Sequence, residues 1–158
     1  MTFRGPAAKD AAVIWRLAPQ RGSAQQDSCY AYLLLCTHFA DTGIVAEQDG
    51  VIAGYALAYR PPLRPEDTFV WQLGVASGHD SEELSIRMLE ELLARRACAS
   101  TRFLCMTCSP RDAALQVRFA HLARRLGVRC ATVPCFPGSL FAEPHLDESL
   151  LRVGPLPA

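Results

Sequence analysis

A chain of 158 residues, 50% hydrophobic and 20% charged, is long enough to close one domain around a substantial core and too apolar for disorder. Its sixteen basic and sixteen acidic residues cancel, which removes the electrostatic basis for binding nucleic acid or an anionic membrane surface. No apolar run approaches the ~20 residues of a spanning helix, and no charged-then-apolar leader opens the chain, so a cytoplasmic protein is expected, with Cys29, Cys36, Cys98, Cys105, Cys108, Cys130 and Cys135 reduced and mostly buried.

Phe3 and Arg4 open a short first strand. Residues 9–17, with Ala12, Val13, Ile14, Trp15 and Leu17 apolar, predict a helix that Pro19 stops. After a polar loop, residues 28–39, capped by Asp27 or Ser28 and apolar nearly all round, predict a second, well-buried helix against the sheet. Two β-rich runs, 43–48 and 51–59, are joined by Asp49-Gly50, the pair that a tight primed turn wants, and read as a hairpin. Pro61, Pro62 and Pro65 then stiffen the connection into a strand at 68–75. In that strand Gly74 marks a bulge or a close backbone approach.

Residues 81–93 follow at helical spacing, with Ser81 as cap and Glu82 and Glu83 in the first turn. Beyond them, 102–108 reads as a buried strand, and 110–126 as a helix that starts at Pro110, holds Asp112 in its first turn and closes at Gly127. Strands at 128–136 and 149–153 complete the chain. This order predicts a single α/β (α+β) domain, with a mixed, mostly antiparallel sheet of six to seven strands and helices on both faces. Cys105 and Cys108, three apart on a strand, face opposite sides and cannot chelate one metal together.

The joint between strand 68–75 and helix 81–93 has two readings. Bare N–H groups and the positive end of the dipole make a helix start an anion cradle. Asp80, Glu82 and Glu83 put carboxylates at that same end, as in a well-capped surface helix.

Four strings extend the pattern: Ser28-x-Tyr30-x-Tyr32-Leu33-Leu34-Leu35-Cys36-Thr37-His38-Phe39, Tyr59-Arg60-Pro61-Pro62, Phe69-Val70-Trp71-Gln72, and His145-x-x-Glu148-x-Leu150-Leu151-Arg152-Val153-Gly154-Pro155. With the element order, they resemble the GNAT superfamily of acyl-CoA N-acyltransferases and, within it, the diaminobutyrate acetyltransferases of ectoine synthesis. The resemblance implies the GNAT fold, no metal, a homodimer, and transfer of acetyl from acetyl-CoA to the side-chain amine of diaminobutyrate, a small-molecule partner. It implies that backbone at Leu73, Gly74 and Val75 meets the thioester carbonyl and that Asp112 stands where a cofactor-side Asn is usual. Trp71 and Tyr30 would wall the amine pocket with Asp27 on the substrate side, while Glu148 and His145 bring a carboxylate and an imidazole to the amine. Besides Asp112, three places depart from the family pattern. The cofactor turn, Arg-Gly-x-Gly-x-Gly or Ala in the family, reads Asp80-Ser81-Glu82-Glu83-Leu84-Ser85; an expected acid falls on Gln25; and Phe119 replaces a frequent Tyr acid. A GNAT-fold binding or partner protein impaired in CoA binding is the alternative that the turn leaves open.

Overall fold

A computed structural model describes residues 1–18 and 28–157, so Pro19, Gln25 and Asp27 lie outside the described residues. Seven strands, β1 (Thr2–Arg4), β2 (Ile44–Gln48), β3 (Val51–Tyr59), β4 (Asp67–Val75), β5 (Phe103–Cys108), β6 (Arg129–Phe136) and β7 (Glu148–Gly154), take the order β1-β2-β3-β4-β5-β7-β6. The helices are α1 (Ala11–Leu17), α2 (Cys29–His38), α3 (Ser81–Leu93) and α4 (Ala113–Arg125). The chain divides into two compact units, Met1–Tyr59 with Val70–Ala99, and Arg60–Phe69 with Ser100–Ala158.

In the first unit the expected hairpin is present, with Asp49 at φ 53° and Gly50 at φ 77°, the two left-handed positions of a type I′ turn. β3 is the centre of this unit. Tyr55 and Leu57 pack with Ile14 of α1 and with Tyr32 and Cys36 of α2, whereas Gly54 opens toward Met88 of α3, so helices cover both faces. α2 departs from the expected well-buried helix. Only Tyr32 and Cys36 are buried, and Tyr30, Leu33 and Leu34 face solvent, because the packed stripe is the one that meets α1 and β3.

Gly74 is explained by close approach. A Cβ there would lie 2.6 Å from Cε1 of Tyr55, whose ring is fully buried. Gly74→Ala is therefore expected to destabilise the chain by about 1–3 kcal/mol through overpacking, read from the urea midpoint. An unchanged midpoint would mean that Tyr55 yields freely.

In the second unit the first residues of β4 pair in parallel with β5, Asp67 opposite Phe103 and Phe69 opposite Cys105. β5 then pairs antiparallel with β7, and β7 with β6. α4 covers this layer by burying Leu115, Phe119 and Leu122, and Asp112 is its N-cap, accepting the Leu115 N–H at 3.0 Å. Arg152 of β7 stacks on the Phe103 ring, 3.3 Å from its centroid, and donates to the buried Asp67 carboxylate at 3.1 Å. A cation held between a ring face and a carboxylate binds β7 to the start of β4 across β5. Among the described residues, no helix is long and apolar enough to cross a membrane and no group of side chains is disposed to hold a metal ion.

Candidate active site

In the second unit β7 begins at Glu148, directly opposite Phe136 of β6. The Glu148 residue is only 9% exposed, at the wall of a cavity of about 250 Å³ lined also by Pro134, Cys135, Phe136, Pro137 and Asp147. His145 lies just upstream with its ring stacked on Phe141, centroids 3.8 Å apart. Its Nδ1 is 2.6 Å from the Leu146 carbonyl and its Nε2 is 3.7 Å from Glu148 Oε1. A carbonyl only accepts, so Nδ1 carries the proton, and Nε2 is left to take another from the side of the carboxylate. The arrangement sets a buried carboxylate 3.7 Å from an exposed imidazole.

The two cysteines around Glu148 are poor nucleophiles. Burial, and then the carboxylates of Asp112 and Glu148, push the Cys108 thiol up, and burial followed by Glu148 does the same to Cys135. A thiol held protonated does not form a covalent acyl intermediate readily.

In the first unit, Trp71 of β4 is half-buried and meets Tyr32 edge-on, with centroids 5.0 Å apart at 63°. Tyr30, expected beside Trp71, stands 66% exposed on the outer side of α2. The ring that meets Trp71 is that of Tyr32. It sits in the same string as Tyr30, and the helical phase of α2, set by packing on α1, decides which ring reaches Trp71. Leu73, Gly74 and Val75 end β4, beyond the last residue that pairs with β5. The Ala76 N–H that follows donates to the Ala53 carbonyl of β3 at 2.8 Å.

The turn into α3 corrects the expected cap. Asp80, not Ser81, is the N-cap, and its Oδ1 accepts from the N–H groups of Glu82 at 3.1 Å and Glu83 at 3.0 Å. Asp outcompetes the serine one residue on because its carboxylate reaches two donors and its charge complements the helix dipole.

No family model matches the chain. An L-2,4-diaminobutyric acid acetyltransferase from Bordetella parapertussis is 40% identical over 155 residues, covering 97% of this chain and 83% of that protein. The chain belongs to the L-2,4-diaminobutyric acid acetyltransferase family. A solved structure of the diaminobutyrate acetyltransferase EctA from Paenibacillus lautus, in complex with its substrate L-2,4-diaminobutyric acid and coenzyme A, superposes with a TM-score of 0.88 at 35% identity, covering 98% of this chain and 94% of that one. A protein of the GNAT family from Desulfovibrio desulfuricans matches at a TM-score of 0.70 and 20% identity, covering 97% of this chain and 98% of that one. That second likeness speaks to the fold, which is the GNAT fold. The expected β, α, α, three β, α, β, α, β, β order therefore belongs to an acetyltransferase family.

Proposed function

We propose that this chain transfers the acetyl group of acetyl-CoA to the side-chain amine of L-2,4-diaminobutyrate. The observation that carries the reading is kinship along almost the whole length with an acetyltransferase of that substrate, at 40% identity over 97% of the chain. The same kinship disfavours the alternative of a binding protein without catalysis.

The neutral amine attacks the thioester carbon, a C–N bond forms, the attacking nitrogen gives up its second proton to water as the C–S bond breaks, and the sulfur leaves as a thiolate on coenzyme A. The ammonium proton must be removed first. We assign that step to Glu148, with His145 Nε2 passing the proton on to water, because one is buried and the other exposed 3.7 Å away. The resemblance implies that Phe119 takes the place of a frequent Tyr acid, so in this reading the thiolate leaves unprotonated into solvent. Backbone at Leu73, Gly74 and Val75 polarises the carbonyl. In this reading Trp71 walls the amine pocket and Asp112 belongs to the donor side, while Tyr30 is exposed on α2 and the Asp27 role implied by the resemblance lies outside the described residues. The finer expectations belong to the same reading: a homodimer, a cytoplasmic location and a product used in ectoine synthesis.

The test is an assay of thiol release from acetyl-CoA with L-2,4-diaminobutyrate, ornithine and lysine as acceptors. Release is expected with diaminobutyrate well above the other two, and mass spectrometry should place acetyl on the side-chain amine. No release with diaminobutyrate at saturating donor overturns the reading.

A further inference from the structure

Three successive N–H groups at the positive end of α3 are directed at one residue. Asp80 Oδ1 takes those of Glu82 and Glu83, and the Asp80 carbonyl takes that of Leu84 at 3.0 Å. α3 is a thirteen-residue helix, long enough for its dipole to matter at this end, and its first turn adds the carboxylates of Glu82 and Glu83. The acyl donor of the proposed reaction carries a diphosphate, an anion of the kind that such helix ends hold through bare N–H groups. As they stand, the residues of this turn do not fit it, because two of the donors are already committed to an anion that belongs to the chain.

Asp80 is exposed, and its carboxylate is held over the helix end by these two hydrogen bonds among the described residues. A side chain on the surface can turn away into water at the cost of the cap alone, so the obstruction is reversible. It acts as a competing ligand of fixed local concentration, which lowers affinity without abolishing binding.

We propose that the Asp80 carboxylate is an internal anion that occupies the α3 donors and competes with the acyl donor's diphosphate, so that Asp80 sets this chain's affinity for acetyl-CoA. This rests on acetyl-CoA being the donor. The competition has two parts, occupied N–H groups and negative charge, and two substitutions separate them. Asp80→Asn keeps a side-chain acceptor on the N–H groups but removes the charge, since Asn caps helices as well as Asp does. Asp80→Gly removes both and still leaves an acceptable cap.

Titration calorimetry of the whole chain with acetyl-CoA should show the Gly variant binding about tenfold or more tighter than the wild type, with the Asn variant between them. A second arm uses S-acetylpantetheine, which delivers acetyl on the same thioester but lacks the diphosphate. Its KM should be the same in all three proteins, a result that a merely structural effect of the substitutions would not produce. The proposal is overturned if both variants bind acetyl-CoA no tighter than the wild type. It is likewise overturned if Asn gains as much as Gly, or if the gain extends to S-acetylpantetheine. Failure of the underlying reading looks different: no heat with acetyl-CoA in any of the three proteins and no acetylated diaminobutyrate from the wild type, which overturns both.

Discussion

Glu148→Gln is expected to lower kcat for acetyl transfer about 100- to 10,000-fold, the range over which a positioned base contributes. Gln keeps the shape and the place opposite Phe136, so the strand register and the melting temperature should hold. What changes is the capacity to take a proton at a carboxylate whose side chain is 11% exposed and lies 3.7 Å from Nε2 of His145. His145→Ala should cost less, because Glu148 then hands its proton directly to water, and the remaining rate should rise with the concentration of an added imidazole buffer. The measurement is steady-state kinetics with diaminobutyrate varied at saturating donor. A Gln variant with unchanged kcat and a raised KM would instead assign Glu148 to anchoring the ammonium.

Arg4→Ala is expected to destabilise the chain by about 3–5 kcal/mol, the cost of leaving a buried charge without its partner. Arg4 clasps Asp10 with both terminal nitrogens, at 2.7 and 3.0 Å, and reaches Glu47 of β2 through Nε and Nη2. Asp10 is 5% exposed and also accepts the Ala7 N–H at 2.8 Å. The guanidinium thus joins β1, β2 and the turn before α1. Burial alone would push the Asp10 carboxyl up, but the hydrogen bonds from Arg4 and Ala7, with the Arg4 charge, hold it below the ordinary carboxylate range. A depressed folded pKa means that this contribution is present above the unfolded value, near ~4, and is lost as pH falls through the folded one. The gap between wild type and variant in urea unfolding should therefore be full at neutral pH and shrink in acid. A loss under about 1 kcal/mol would rank the cluster with exposed ion pairs.

Cap positions show how local chemistry and three-dimensional competition divide the work. Asp49-Gly50 forces a primed turn by itself, since both residues must adopt positive φ, and the hairpin follows whatever surrounds it. At the start of α3, two neighbours were both competent caps, Asp80 and Ser81, and one-residue precision was beyond a pattern argument. The same shift occurs at α4, where Asp112 stands just outside the helix instead of in its first turn. For α2 the difficulty was composition: a helix apolar on every side carries no periodic signal of which stripe is inside. Contacts with α1 and β3 chose Tyr32 and Cys36, left Tyr30 in solvent, and so placed Tyr32 against Trp71.

The candidate site divides along the same line. Glu148 and His145 were legible as a string, but that Glu148 lies opposite Phe136 beside a cavity follows only from the register in which β6 and β7 pair. Gly74 was legible as a place where backbone comes close to something. That the something is the ring of Tyr55 required two strands to be brought side by side.

By itself, the sequence determined the elements, their order, the hairpin and the family, because each rests on spacing or chemistry within a few neighbouring residues or on strings of matched residues. Only the tertiary structure decided which face of α2 is buried, what Gly74 makes room for, how Arg152 ties β7 to β4, and which carboxylate takes the helix donors of α3. Those outcomes depend on contacts between residues far apart in the chain or on competition between equally suited neighbours, and neither is settled until packing excludes water and fixes one partner for each polar group.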